Sequence, residues 1–163
     1  VEVLEGRPLG HGRRVAVCVS RFNGEVTEPL LQGALAALRG AGVAEGDVLV
    51  VRVPGAFELA FAAREAIRSR HVDAVVALGA VIRGETDHYD YVCDAAEQGL
   101  LRVGLDEGVP VLFGVLTCDT DEQAAARSGG AHGNKGADVA LDALRMADLH
   151  DQLHIRADGS ARP

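Results

Sequence analysis

The run Gly84-Glu85-Thr86-Asp87-His88 gathers a glycine, a hydroxyl and an imidazole at almost consecutive positions. Where such a turn leads from a strand into a helix, unpaired backbone N–H groups hold anions, and an imidazole titrating near neutrality carries protons. The segment 84–88 therefore reads as a phosphate site with an acid/base beside it. The chain holds 6 histidines, and most such residues are solvated surface groups; His88 stands apart because it follows the anion turn directly. Further on, Arg127 and Lys135 flank the flexible bend 128–134. Two cations around such a bend can grip a phosphate, each charged hydrogen bond contributing roughly 1.5–3 kcal/mol. Basic residues number 16, and Lys135 is the single lysine among them; a compact ammonium suits that contact, although chance gives the same pattern. The bend lacks the Gly-Lys-Ser/Thr ending of a nucleotide-binding loop, so nucleoside triphosphate hydrolysis has no support.

Aromatic residues make up 4% of the chain and tryptophan is absent, so the place of each ring is informative. Phe22, in Arg21-Phe22-Asn23, directly follows an apolar run and belongs at the rim of a sheet. There it can stack on a planar heterocycle, worth roughly 1–3 kcal/mol per ring; a phenylalanine closing the edge of the core fits the same sequence. Pro54-Gly55 forces a turn and lets the backbone approach a ligand, after which Ala56, Phe57 and Glu58 open a helix with free N–H groups. Glu58 can accept hydrogen bonds from ligand hydroxyls, or simply answer the helix dipole.

These segments need a scaffold. Four valine-rich runs, 15–20, 48–53, 74–81 and 109–116, read as strands of a parallel sheet covered on both faces. Between them, 27–39, 57–70 and 88–105 have helical spacing and the length of crossover connections, and 119–127 and 135–149 add two more helices. Thr27 is placed to cap the first helix with Pro29 in its first turn and Gly40 and Gly42 at its end; Thr120 and Gln123 make a capping box. With right-handed crossovers, βαβαβαβα gives a flavodoxin-like three-layer α/β/α sandwich on a four-stranded parallel sheet. Residues 1–155 read as one domain and 156–163 as a flexible polar tail. Ligands in open α/β sheets bind outside the carboxyl ends of the strands. The segments 21–23, 54–58, 82–88 and 113–119 all fall there.

Composition excludes several classes of function. A chain of 163 residues with 48% hydrophobic and 25% charged residues is neither disordered nor fibrous. No apolar run approaches the roughly 20 residues of a membrane span, and the N-terminus lacks the apolar stretch of a secretory signal, which points to the cytoplasm. A net charge of −8 repels nucleic acid. Cys18, Cys93 and Cys118 are odd in number and lack CxxC spacing, so they are expected to be reduced and buried, with no disulfide framework or zinc site.

Five motifs in chain order resemble those of the 6,7-dimethyl-8-ribityllumazine synthase family. They are Arg21-Phe22-Asn23, Val53-Pro54-Gly55-Ala56-Phe57-Glu58-Leu59, Gly79-Ala80-Val81-Ile82-Arg83-Gly84-Glu85-Thr86 followed by His88, Phe113-Gly114-Val115-Leu116-Thr117, and Gly133-Asn134-Lys135-Gly136. The likeness spans roughly residues 13–153. It implies a transferase of riboflavin biosynthesis, condensing 5-amino-6-(D-ribitylamino)uracil with 3,4-dihydroxy-2-butanone 4-phosphate and releasing phosphate and water, without cofactor or metal. Carried over by position, Phe22 stacks on the pyrimidine, and Ala56, Phe57 and Glu58 hold the ribityl chain. Ala80, Val81 and Ile82 line the pyrimidine pocket through backbone groups. Glu85 and Thr86 hold the phosphate, joined by Arg127, and Lys135 counts among the substrate-binding residues. Phe113 comes from a neighbouring subunit, and His88 shuttles protons.

Two departures stand out. Residue 126 is alanine where many relatives carry an acid, so a salt bridge orienting Arg127 is absent or replaced, which touches phosphate affinity. Leu59-Ala60 replaces a proline-containing ending, a change at the helix start. The family assembles as pentamers, some packing twelve of them into a hollow shell of sixty subunits. The 7 residues between Arg127 and Lys135 resemble the short connector of shell formers, and an association with riboflavin synthase is a further implied partner. Two other readings compete: a flavin- or lumazine-binding carrier or shell protein, and a different flavodoxin-like phosphate-handling enzyme. Formation of fluorescent lumazine separates catalysis from carriage, and failure to bind the pyrimidine would favour the second.

Overall fold

In the computed structural model, which describes residues 1–155 together with 159 and 160, four parallel strands form one sheet in the order β2-β1-β3-β4. They are β1 Val15–Ser20, β2 Val48–Val53, β3 Ala74–Ile82 and β4 Val111–Cys118. Alternation along each strand sorts its side chains onto two faces. Val15, Val17, Val19, Val76 and Leu78 pack under α1 (Gly24–Gly40) and α5 (Lys135–His154). Ala16, Cys18, Val75 and Ala77 pack under α2 (Leu59–Arg70) and α3 (His88–Glu107). The result is the flavodoxin-like α/β/α sandwich. Leu30, Leu38, Leu78 and Leu144 are fully buried, and truncating any of them to alanine costs about 2–5 kcal/mol. Among the described residues no helix is long and apolar enough to cross a membrane.

Several local expectations need correction. Thr27 does not cap α1; it is buried inside the helix. Asn23 takes a left-handed conformation at φ 57°, and its carbonyl accepts from the N–H groups of Val26 and Thr27. The helix therefore begins earlier, and Pro29 falls beyond its first turn. The expected start of α2 is a 3₁₀ turn, Ala56–Glu58, with the α-helix following from Leu59. Thr120 does cap α4 (Asp121–Arg127), but the Gln123 side chain reaches past it to accept from the Asp119 N–H.

The edges of the sheet also differ. Among the described residues only β1 and β3 have strands on both sides; Val50 on β2 and Phe113 on β4 are exposed. β4 lies two residues later than its apolar run, because pairing with β3 continues to Ile82↔Cys118 after the hydrophobic pattern has stopped. The bend after α4 is an antiparallel ribbon, β5 Ser128–Gly130 and β6 Gly133–Asn134. Cys18 and Cys118 are buried, but Cys93 is only half-buried, and all three are free. Apart from 159 and 160, the expected tail lies outside the described residues.

Candidate active site

The strand order reverses between β1 and β3, and a cleft opens there at the carboxyl ends of β1, β2 and β3. Its volume, about 600 Å³, suits a metabolite. The loops after β1 and β2 are fastened together, since Arg21 N–H donates to the Val53 carbonyl at 2.8 Å and Phe22 N–H to the Pro54 carbonyl at 3.0 Å. Phe22 and Phe57 stand at the rim with 71% and 63% of their surface exposed, so Phe22 does not close the core. Asn23 donates from Nδ2 to the Ala80 carbonyl at 2.9 Å, which engages one of the expected backbone groups. Arg83 N–H bonds the Cys118 carbonyl on β4. Backbone alternation then turns the Ile82 amide toward the other edge, beyond the last β1 pairing at Leu78.

Glu58 sits at the end of the 3₁₀ turn, and one of its carboxylate oxygens accepts from Gly55 N–H at 3.0 Å. Its other oxygen takes no hydrogen bond among the described residues. Gly55 has an ordinary φ of −144°, and a Cβ added there would stand 3.3 Å from that carboxylate, close enough that the side chain would have to shift slightly. Gly84, Thr86 and His88 close the far side of the cleft. Asp87 makes no side-chain cap on α3, and His88 N–H lies 3.4 Å from Thr86 Oγ1. The Asp87 carbonyl accepts from the Asp90 and Tyr91 N–H groups, so among the opening amides of α3 that of Tyr89 is left open to an anion. Glu85 is exposed and does not line the cleft.

The cations lie elsewhere in the chain. Arg127 and Lys135 line a separate pocket of about 480 Å³ with Thr117, Gln123, His132 and Asp138, whereas among the described residues no arginine or lysine lines the Phe22–His88 cleft. Arg127 donates from Nη1 to the Gln123 carbonyl at 2.9 Å. Its own helix backbone therefore orients it where an acid at residue 126 is missing. Lys135 is the first residue of α5, whose amides Asn134 caps by accepting from Ala137 N–H while donating to the Pro29 carbonyl. A cation there opposes the helix dipole, so helix stability does not explain its position. Phe113 is 37% exposed and lines neither pocket. Burial pushes the Cys118 thiol up and the Cys18 thiol up to about 12, so neither offers a thiolate nucleophile.

Asn23, Gly84, Tyr89 and Val92 also line the cleft, and Gln123, His132 and Asp138 the second pocket. Asn23 and Gly84 stood in motifs already singled out. Tyr89 and Val92 share a face of α3 by their i, i+3 spacing, but which face meets the cleft depends on how the helix packs.

A cleft of this size at the carboxyl ends of the strands, rimmed by Phe22 and Phe57 with an imidazole at its edge, is in a flavodoxin-like fold the layout of an α/β enzyme. The profile of the 6,7-dimethyl-8-ribityllumazine synthase family matches residues 12–151. A protein of that name from Gemmatimonas aurantiaca is 54% identical over 149 residues, 91% of this chain and 91% of its own. Another, from Desulfatibacillum aliphaticivorans, is 47% identical over 151 residues, 93% of this chain and 97% of its own. The chain belongs to this family of riboflavin-biosynthesis transferases.

Proposed function

We propose that 5-amino-6-(D-ribitylamino)uracil and 3,4-dihydroxy-2-butanone 4-phosphate condense in the Phe22–His88 cleft, and that a neighbouring copy of the chain supplies the cationic half of each site. One observation carries the shared site: among the described residues the cleft has aromatic, carboxylate, backbone and imidazole groups but no arginine or lysine, while Arg127 and Lys135 line a pocket of their own. Phe22 stacks on the pyrimidine, with Ala80, Val81 and Ile82 beneath it. Ala56, Phe57 and Glu58 hold the ribityl hydroxyls. Thr86 and the first amides of α3 take the phosphate, with Glu85 contributing its backbone at the outer side of the turn. The partner's Arg127 and Lys135 balance the phosphate charge, and its Phe113 closes the rim.

The amine adds to the ketone and loses water to form an imine; phosphate then leaves through an enol, and the ring closes with loss of a further water. His88 moves the protons. Orientation of the two reactants supplies most of the acceleration, and a general acid/base typically adds about 10²–10⁴-fold.

The surface supports such an assembly. Phe22, Phe57, Phe61 and Phe113 are all exposed, and β4 is an unpaired edge, features that favour pairing with another chain. Cleft against β4 edge is a head-to-tail contact, which makes a ring when the rotation between copies closes; a pentamer is the ring the family resemblance implies, with the short ribbon connector favouring the shell. The free cysteines fit a reducing cytoplasm.

Mixing the protein with both substrates and following lumazine fluorescence tests the chemistry, and absence of product overturns it. Light scattering tests the assembly: a mass near five or sixty chains of 17.0 kDa supports it, the larger value being expected. A catalytically active monomer overturns the shared site, and a mass near five chains overturns the shell.

A further inference from the structure

The turn that carries Thr86 and His88 has little of its own to hold it in place. Residues 83–88 are all exposed, α3 has no side-chain cap, and the His88 N–H contact to Thr86 is long at 3.4 Å. Arg83, at the start of that turn, is tied on several sides. Its N–H donates to the Cys118 carbonyl at 2.9 Å. Its Nε donates to Asp119 Oδ1 at 2.8 Å, and Nη1 stands 3.7 Å from Asp90 Oδ1 in the first turn of α3. Its guanidinium carbon lies 4.2 Å from the centroid of the Tyr89 ring. Tyr89 directly follows His88 and lines the cleft, and its hydroxyl faces the side chains of Cys93 and Thr117.

We propose that Arg83 is a positioning residue for the reaction: it clasps the end of β4 to the first turn of α3 and, through Tyr89, aims His88 and Thr86 into the cleft. The inference rests on the reading that this cleft is where the lumazine forms. Arg83 touches neither substrate in that reading, since it does not line the cleft. A planar guanidinium can lie on a ring while bonding a carboxylate at its edge, which an ammonium cannot do equally well. Exposed ion pairs contribute little to stability, so any loss on removing Arg83 should appear in turnover rather than in folding.

The test is steady-state kinetics of Arg83→Gln and Arg83→Lys, each also placed in a His88→Ala background. Expected is a fall in kcat of about tenfold for Arg83→Gln, a smaller fall for Arg83→Lys, and little change in the KM for the pyrimidine. In the His88→Ala background, Arg83→Gln should lower kcat by a smaller factor, because the part of the effect that passes through His88 is already lost. Asp119→Asn, which leaves the cleft lining intact, should reproduce part of the effect and keeps the question open to measurement should Arg83→Gln fold poorly. An unchanged kcat in Arg83→Gln, or the same fold-loss with and without His88, overturns the inference while wild-type lumazine formation leaves the site assignment standing. A wild-type protein that makes no lumazine overturns the site assignment instead.

Discussion

Asn23 and Ala80 are joined by a hydrogen bond of 2.9 Å from the asparagine Nδ2 to the alanine carbonyl. It links the residue that starts α1, held at φ 57°, to the strand on the far side of the cleft. Asparagine tolerates the left-handed region better than other residues with a Cβ. Asn23→Ala should therefore lose the bond and strain the backbone, lowering stability by about 1–3 kcal/mol and raising the KM for the pyrimidine. Asn23→Gly should recover part of the stability but not the KM. Urea denaturation and steady-state kinetics read the two effects, and a normal KM in both variants would detach this bond from substrate binding.

His88→Ala should lower kcat and leave measurable turnover, because the cleft still brings the reactants together when the proton carrier is gone. A wild-type rate would remove His88 from the reaction.

If each site joins one chain's cleft to its neighbour's cations, two defective variants should repair one another. His88→Ala lacks the proton carrier but keeps the Arg127–Lys135 pocket, and Arg127→Ala keeps the cleft. Unfolding the two together and refolding them as a mixture should restore some intact sites and raise specific activity above that of either variant alone. Activity no greater than the average of the two separate preparations would place both residues in sites made by single chains.

Asp148 gives a stability prediction with a definite sign. It is 7% exposed; the Arg7 N–H donates to its Oδ2 at 2.9 Å, and Gln152 bonds the same oxygen. The Arg7 backbone bond is the main cause holding its carboxyl below the ordinary value of 3.8, with Gln152 and the Arg7 charge adding to it against the effect of burial. A depressed folded-state pKa contributes stability that is present above the unfolded value and lost as pH falls through the folded one. The N-terminal segment should therefore loosen from α5 only in acid, below about the ordinary aspartate value. Amide exchange at Arg7 measured from neutral pH downward should show protection lost there. Asp148→Asn should exchange faster at neutral pH and lack that acid step; a step of the same size in the variant would assign it to another group.

The strands and most of the helices were legible because their signals are local. Valine-rich runs located β1 and β2 at both ends, and Thr120 marked the start of α4. Thr27 misled because a threonine ahead of a proline imitates a cap; the αL turn at Asn23 had already started the helix. β4 slid by two residues because backbone pairing needs no apolar side chain, so the polar end Thr117-Cys118 pairs as well as the valines do.

By itself the sequence determined which residues stand at strand ends, and hence that Phe22, Ala56, Glu58, Thr86 and His88 would converge, since the carboxyl ends of parallel strands all point one way. Only the tertiary structure decided that Tyr89 completes the cleft and that Arg127 and Lys135 line a pocket apart from it. The physical reason is that order along the chain gives the end of the sheet a residue occupies, while the edge and face it reaches follow from how strands pair and helices rotate against them. Among the described residues β4 pairs on one side only, and the cations that follow it line a pocket with its last residues.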